Sequence, residues 1–193
     1  AFQADVSDEA QVVALFDRCE QALGPLSGLV NNAGVLERQS PLADMDAARL
    51  QRVFATNVIG TLLCAREAVR RMSTQAGGRG GAIVNVSSAA SRLGSPNEYV
   101  DYAASKGAID SFTIGLAKEV GPQGIRVNAV RPGFIHTGIH ARGGEPDRIE
   151  RLKGGIPLQR GGDPGEVADA IAWLLSPVAS YVTGALVDIS GGR

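Results

Sequence analysis

Apolar side chains recur every three to four residues in several stretches of the chain, which is the spacing of a helix with one buried face. Ser7 or Asp8 can cap the first of these helices, and Asp163-Pro164-Gly165-Glu166 has the residue types that begin the last one. The pattern predicts helices over residues 9–23, 46–72 and 99–120, and a further helix from residue 163.

Short apolar runs rich in β-branched residues lie between these helices, and polar or glycine-containing turns follow them. They predict strands over residues 28–30, 82–86, 125–130 and 185–189, and residues 1–6 have the composition of the end of another strand. Strands that alternate with helices form parallel sheets with right-handed crossovers. The sequence therefore predicts an α/β fold, a doubly wound parallel sheet with helices on both faces.

We expect residues 1–193 to form a single domain. Within it, residues 134–160 contain several glycines and no sustained periodicity. Such a segment is typical of a mobile lid over a site rather than of a core element.

Composition limits the classes of function. With 193 residues, 44% of them hydrophobic, and a net charge of -1, the chain resembles an ordinary soluble domain and lacks the basic excess of a nucleic-acid-binding protein. No apolar run reaches the roughly 20 residues of a membrane span. Cys19 and Cys64 lack a C-x-x-C spacing, and His136 and His140 lack further ligands nearby, so we predict reduced thiols, a cytoplasmic protein and no metal site.

Tyr102 and Lys106 are four residues apart in a predicted helix, so their side chains can point into the same space. A neighbouring ammonium favours the phenolate, and we expect Lys106 to lower the pKa of Tyr102 from its usual value near ~10. A phenol with a lowered pKa can act as a general acid or base. Taken alone, the pair also fits a simpler interpretation, in which Tyr102 packs in the core and Lys106 extends to solvent.

Further polar and small residues follow the predicted strands. Asn32, Ser88 and Pro132-Gly133 each come directly after one of them. Because ligands of parallel sheets bind at the carboxyl ends of the strands, we expect these residues to share one edge with Tyr102. Asn57 falls at the margin of an apolar helical stripe and is either a satisfied core amide or a part of this site.

In their order along the chain, these residues resemble the short-chain dehydrogenase/reductase family. The resemblance covers essentially the whole chain and depends on an ordered set of motifs, namely Asn31-Asn32-Ala33-Gly34, Asn57, Ser88, Tyr102-x-x-x-Lys106, Pro132-Gly133 and Thr137. It implies an oxidoreductase that uses NAD or NADP to interconvert a small carbonyl compound and a secondary alcohol. It also implies a homo-oligomer, a dimer or tetramer built through the helices predicted over 46–72 and 99–120.

The resemblance implies a role for each matched residue. Tyr102 would move the proton to or from the substrate oxygen, Lys106 would lower the phenol pKa and hold the nicotinamide ribose, and Ser88 would hydrogen-bond the substrate oxygen. Asn57 would hold a water that connects Lys106 to solvent. Ser88 lies fourteen positions before Tyr102, one more than is common in the family, so Ser87 stays a second candidate. The cofactor would be lined, from adenine to nicotinamide, by Asp5 and Val6, by Asn32, Ala33 and Gly34, and by Pro132, Gly133, Ile135 and Thr137.

One part of the family pattern has no counterpart in these 193 residues. It is the first strand-helix-strand unit, which contains the glycine-rich turn that binds the cofactor pyrophosphate and the residue that separates NAD from NADP. We therefore expect a fragment, or the ordered part, of a longer dehydrogenase, with strand 28–30 at an exposed edge. Two other interpretations stay open: a truncated, non-catalytic scaffold that binds no cofactor, and a nucleotide-sugar epimerase or dehydratase, which the short tail after Ile189 disfavours.

Overall fold

The computed structural model describes residues 1–193 and contains a four-stranded sheet with helices on both faces. The strands are β1 (Gly28–Asn31), β2 (Gly81–Val86), β3 (Ile125–Pro132) and β4 (Leu186–Ile189). The helices are α1 (Glu9–Leu23), α2 (Ala47–Phe54), α3 (Thr61–Met72), α4 (Ala90–Leu93), α5 (Val100–Val120), α6 (Ile139–Arg142), α7 (Arg148–Leu152) and α8 (Pro164–Leu175). Short 3-10 turns lie at Leu42–Asp44, Thr74–Ala76, Gly121–Gln123, Lys153–Gly155 and Pro177–Ala179.

All neighbouring strands are parallel, and their spatial order β1-β2-β3-β4 is the order of the chain. The register pairs Asn31 with Asn85, Val86 with Val130, and Pro132 with Ile189. The carboxyl ends of all four strands therefore lie at one edge of the sheet. The predicted α/β fold with a parallel sheet and helices is confirmed.

The core has two parts because successive side chains of a strand point to opposite faces of the sheet. On one face, Ile83 of β2 and Val127 of β3 pack against α1, α3 and the end of α5. On the other face, Val84 and Val130 pack against Val167 and Leu174 of α8. The helices on both faces explain why β2 and β3 are almost continuously apolar.

The prediction that residues 1–6 form the end of a strand is wrong, because they belong to no strand in the structure. An extended segment needs a neighbouring strand to complete its backbone hydrogen bonds, and none runs beside it. Val6 packs against the core face that contains Leu29.

The predicted helix over residues 46–72 is interrupted at its centre. Residues Ala55–Gly60 form a π-helical segment between α2 and α3. Such segments are rare and frequently lie at functional sites, and the apolar spacing over residues 46–72 did not reveal this one.

Residues 134–160, predicted to contain no core element, hold the two short helices α6 and α7. Buried Arg148 fixes α7: its guanidinium carbon lies 5.1 Å from the ring centroid of Tyr99 and 5.5 Å from that of Phe134. It also forms ion pairs with Glu98 and Glu145. Attachment through a cation and two rings has no periodic signature, so the sequence pattern did not indicate these two short helices, and the substrate lid stays a prediction.

None of the helices combines the length and the apolar character that crossing a bilayer would require.

Replacing Gly60 by alanine should destabilise the fold, because the new Cβ would lie 2.7 Å from Val6 Cγ2 and 3.0 Å from the Val6 carbonyl oxygen. Overpacking of this kind costs about 1–3 kcal/mol in the free energy of unfolding, measurable by urea denaturation. Gly115→Ala in α5 is the control: its Cβ meets nothing within 4 Å. That change should stabilise the protein by about 0.5–1 kcal/mol, and equal destabilisation by both would contradict the packing argument.

Candidate active site

Tyr102 and Lys106 lie in the first two turns of α5, at the edge of the sheet where the strands end. The Lys106 ammonium nitrogen donates a hydrogen bond of 2.7 Å to the Val86 carbonyl oxygen at the end of β2, and it lies 5.5 Å from the Tyr102 ring centroid. Lys106 is only 5% exposed. The simpler interpretation, in which Lys106 extends to solvent, is therefore wrong.

Burial determines the proton affinities of this pair. It lowers the pKa of the Lys106 ammonium to about 8, although the charge of Asp110 partly opposes the shift. It raises the pKa of the Tyr102 phenol, and the hydroxyl of Ser88 partly opposes this shift by hydrogen bonding. The pKa of the Tyr102 phenol is therefore raised rather than lowered in this structure, because desolvation is the largest effect on it.

The two serines after β2 have different hydrogen-bond partners. Ser87 is buried, and its hydroxyl donates a hydrogen bond of 3.1 Å to the backbone carbonyl of Lys106. Ser88 is half-buried and its oxygen accepts from the backbone N–H of Ala90, which starts the short helix α4. Of the two candidates left open by spacing, Ser88 is therefore the one whose hydroxyl faces Tyr102.

Asn57 lies inside the π-helical segment and is fully buried. Its side-chain N–H groups donate to the Val35 carbonyl and to Ser105 Oγ, at 3.0 and 3.1 Å, and its Oδ1 accepts from the Val35 N–H at 2.7 Å. Both amide N–H groups are used, so Asn57 can hold a further water only through an oxygen. Through these bonds the Asn57 side chain joins the backbone of Val35, which follows β1, to Ser105 of α5.

A row of buried polar side chains runs from β1 through β2 to α5, near the carboxyl ends of these two strands. Asn31 donates to Asn85 Oδ1, and Asn85 donates to Thr113 Oγ1, both at 2.9 Å. Asn31 belongs to the motif that predicts a cofactor site, whereas Asn85 lies in a strand that was predicted to be apolar. The available signal was the amide itself, because a buried polar residue needs a partner.

Two glycines let the backbone approach the site closely. A Cβ on Gly34 would lie 3.5 Å from Asn57 Oδ1 and 3.6 Å from Lys106 Nζ, so Gly34 adjoins both side chains. A Cβ on Gly133 would lie only 2.8 Å from Ser190 Cα, so only glycine fits between the ends of β3 and β4.

The remaining predicted cofactor residues are spread along the same edge. Asn32 and Ala33 are exposed directly after β1, and Pro132 ends β3. Ile135 is half-buried and forms a bridge with Gly162, whereas Thr137 is exposed. At the other end, Asp5 is exposed and bonds only within its own turn and to Gln11, while Val6 packs on Gly60. The predicted residues near Tyr102, namely Gly34, Asn57, Ser88 and Lys106, are therefore closer to one another than the remaining predicted cofactor residues are.

A cavity of about 610 Å³ lies beside Ile135 and does not include Tyr102. Arg92 and Asp188, which line it, form an ion pair of 3.3 Å. No group of three or more His, Cys, Asp or Glu residues is arranged to hold a metal ion.

The geometry fits the nicotinamide end of a dinucleotide. Lys106 Nζ carries three N–H donors, and the Val86 carbonyl takes one of them, so two stay available for ribose hydroxyls. Gly34, which has no side chain, lies beside this ammonium. The 193 residues contain no glycine-rich turn between a strand and a helix that would hold the pyrophosphate.

Comparisons with known proteins agree with this geometry. A family model described as Enoyl-(Acyl carrier protein) reductase matches residues 1–193. The uncharacterized oxidoreductase YgfF of Escherichia coli (strain K12) is 63% identical over 191 residues, which are 99% of this chain and 77% of that protein.

Solved structures give the same result. A short-chain type dehydrogenase/reductase from Mycobacterium marinum superposes with a TM-score of 0.92 at 34% identity, over 99% of this chain and 74% of that one. A tyrosine-to-phenylalanine variant of ElxO with NADPH bound superposes with a TM-score of 0.88 at 31% identity, over 99% of this chain and 76% of that one. Because the family model and these relatives match the chain from end to end, the chain belongs to the short-chain dehydrogenase/reductase family.

Proposed function

We propose that the protein is an NAD(P)-dependent oxidoreductase that interconverts a carbonyl compound and a secondary alcohol. The observation that carries this proposal is the Tyr102 phenol set between the Ser88 hydroxyl and the buried Lys106 ammonium. Two hydroxyl donors at the carboxyl edge of a parallel sheet, with a positive charge nearby, suit a substrate oxygen on which negative charge develops.

Tyr102 is the proton donor in the reduction and the proton acceptor in the oxidation. Burial raises the pKa of its phenol, so the protonated form is present at neutral pH, and this is the form that reduces a carbonyl. In the reduction, the phenol would give its proton to the carbonyl oxygen of the substrate. The resulting phenolate is stabilised by the nearby Lys106 charge and the Ser88 hydroxyl.

Ser88 and Lys106 orient the reacting groups. Ser88 donates a hydrogen bond to the substrate oxygen, while its own position is fixed by the Ala90 N–H. Lys106 would hold the ribose hydroxyls with its two free donors. Asn57 would hold, through an oxygen, the water that returns a proton to Lys106, because the Asn57 oxygen and the ammonium lie against the same glycine, Gly34.

The cofactor is proposed to be NAD or NADP, held on this chain by the residues that follow the strands. A bound nicotinamide supplies the hydride in reduction and accepts it in oxidation. Asn32, Ala33 and Gly34 after β1 would line the adenine-side ribose, with Asp5 and Val6 near the adenine. The nicotinamide would lie by Pro132, Gly133, Ile135 and Thr137.

Three further proposals concern the rest of the chain. Residues 134–160 would form a substrate lid, since Arg148 of α7 packs on the ring of Tyr99, which directly precedes α5. A homo-oligomer would form through α2, α3 and α5, where Phe54, Ile59 and Ile114 are exposed. The free thiols of Cys19 and Cys64 suit the reducing cytoplasm.

Tyr102→Phe should lower kcat for carbonyl reduction by about 10²–10⁴-fold, because it removes the proton donor and keeps the ring. Binding of NADH or NADPH, measured by fluorescence titration, should change little. Tyr181→Phe, at a fully exposed phenol, is the control and should keep wild-type turnover. Retained turnover in Tyr102→Phe would refute the mechanism, and no saturable binding of either cofactor by the unmodified protein would favour a non-catalytic scaffold.

The two serines should separate in kinetics. Ser88→Ala should lower kcat by about 10²-fold or more, because a donor to the developing oxyanion is lost. Ser87→Ala loses a buried hydrogen bond to the α5 backbone and should lower stability by about 1 kcal/mol with a smaller effect on kcat. The reverse order of kcat losses would assign the substrate contact to Ser87 instead.

The burial of the Lys106 ammonium should lower the free energy of unfolding, and this effect should depend on pH. Its pKa is about 8 in the folded chain, against roughly 10.4 in the unfolded chain. Between these values the unfolded chain binds the extra proton, so stability rises with pH. Below pH 8 the full cost applies, about 3 kcal/mol at 1.36 kcal/mol per unit.

Lys106→Met should therefore stabilise the protein at pH 7 and remove the rise in stability between about pH 8 and 10.4. Urea unfolding at a series of pH values measures both effects. Lys118→Met, at an exposed lysine of the same helix, should leave the pH dependence intact. Identical pH profiles for the two variants would contradict a buried, charged Lys106.

A further inference from the structure

Residues 136–157 of the proposed lid have no share in the apolar core. The segment contains α6 and α7, of four and five residues, and none of its side chains belongs to either core face of the sheet. Its buried apolar side chains are Ile149 and Ile156. Helices of about one turn are not stable by themselves, because the first turn fixes several residues for one hydrogen bond. Contacts other than core packing therefore contribute much of its attachment.

Glycines at both ends of the two short helices permit rotation of the backbone. Gly138 precedes α6, and Gly154 and Gly155 follow α7. A Cβ on any of the three would meet nothing within 4 Å, and none of them has a left-handed φ, so neither packing nor conformation requires glycine there. Small residues at the ends of a segment are common at the hinges of loops that close over a site.

Arg148 of α7 connects this segment to the chain that enters α5. It is only 7% exposed. Its guanidinium forms an ion pair with Glu98 and lies over the ring of Tyr99, the last two residues before α5. On the lid side, it pairs with Glu145 at 2.7 Å and lies over the ring of Phe134. A planar guanidinium can bind carboxylates with its edge and aromatic rings with its face. One buried side chain therefore binds both the lid and the chain before α5.

Both points of attachment adjoin the proposed active site. Tyr99 lies about one helical turn before Tyr102. Phe134 directly follows Gly133, where the nicotinamide is proposed to lie. Because Arg148 contacts both rings, its position determines how the lid lies relative to the Tyr102 phenol.

Arg151 provides a comparison, since it pairs with the same two glutamates from the surface. Its guanidinium nitrogens lie 2.5 Å from Glu145 and 3.7 Å from Glu98, and its side chain is 53% exposed. It stacks on neither of the two rings that Arg148 contacts. Exposed ion pairs contribute little to stability. The two arginines therefore separate the effect of charge near these glutamates from that of a buried, stacked guanidinium.

We propose that Arg148 is a positioning residue of this site: its buried guanidinium holds residues 136–157 against the chain before α5, and release of this contact opens the lid. The inference rests on the lid named in the proposed function. Opening is then a local event, in which α6 and α7 detach while the sheet and both of its core faces stay folded.

Amide hydrogen exchange, followed by mass spectrometry on the whole chain, measures such opening without turnover. Several amides of the segment donate to carbonyls within it, among them Gly143 to Ile139. Arg148→Gln should raise the exchange rate over residues 139–152 by about tenfold or more, while β2 and β3 keep their rates. Arg151→Gln is the matched control and should change the rate by less than about threefold.

Arg148→Lys tests the need for a planar guanidinium. Lysine keeps the charge and can pair with a glutamate, but it loses the flat face that lies on the rings. Exchange over residues 139–152 should therefore rise by about threefold or more in this variant as well. Exchange like that of the unmodified protein would show that charge alone holds the lid, and would contradict the proposal.

The proposal also predicts an effect on the cofactor, with NADPH as the probe. Ile135 and Thr137, proposed to line the nicotinamide, lie at the start of the lid. The dissociation rate of NADPH, measured by stopped-flow fluorescence, should therefore rise several-fold in Arg148→Gln and stay unchanged in Arg151→Gln. An unchanged rate in Arg148→Gln would refute its role in the site. A chain that binds no NADPH would count against the proposed function, and the exchange result would still decide whether Arg148 holds the lid.

Two exchange results for Arg148→Gln would overturn the proposal. One is an unchanged rate over residues 139–152, and the other is an equal rise in β2 and β3, which would indicate global destabilisation. If Arg148→Gln does not fold, Glu98→Gln removes the ion pair on the α5 side and leaves the guanidinium on both rings. It should raise exchange over the same residues by about threefold or more, and an unchanged rate would equally refute the proposal.

Discussion

A positive charge held out of water is the constraint on which this site depends. The Lys106 ammonium lies at the base of the sheet edge, where the Val86 carbonyl accepts a hydrogen bond from it and the charge of Asp110, one helical turn later, partly opposes the cost of burial. Each partner comes from a different element: β2 ends in the carbonyl of Val86, α5 supplies Asp110, and β3 supplies the arginine that anchors it. The long helix and two strands must therefore be in place before the charge is tolerated.

Further contacts hold the backbone around Lys106 in place. Ser87 holds the α5 backbone at Lys106, and Asn57 joins the chain after β1 to Ser105 of the same helix. Gly133 lies where a Cβ would collide with Ser190. These contacts contribute less to affinity for a ligand than to the position of two side chains. Pre-organised donors cost no reorganisation when charge develops on a substrate.

Most of the fold follows from local sequence. Helix α1 runs over the predicted residues 9–23, and Asp8 caps it by accepting from two backbone N–H groups. The capping box of Asp163 and Glu166 begins α8 as expected. In these regions apolar periodicity and end signals agree, so the element and its boundary are both readable.

Other features depend on partners distant in the chain, and the sequence pattern alone could not predict them. Residues 1–6 have strand composition and no strand beside them, and α7 is fixed by Arg148 against rings 49 and 14 positions earlier, at Tyr99 and Phe134. At the site, the Tyr-x-x-x-Lys spacing located the pair correctly. It did not reveal that burial raises the pKa of the phenol, since desolvation is a property of the assembled fold.

The row Asn31, Asn85 and Thr113 has a consequence for how the strands align. Two apolar parallel strands could slip by two residues and keep each side chain on its own face of the sheet. A slip here would leave buried amides without partners, at about 1–3 kcal/mol for each. The asparagines therefore select a single alignment of β1 with β2, and that alignment sets the chain after β1 level with the serines that follow β2.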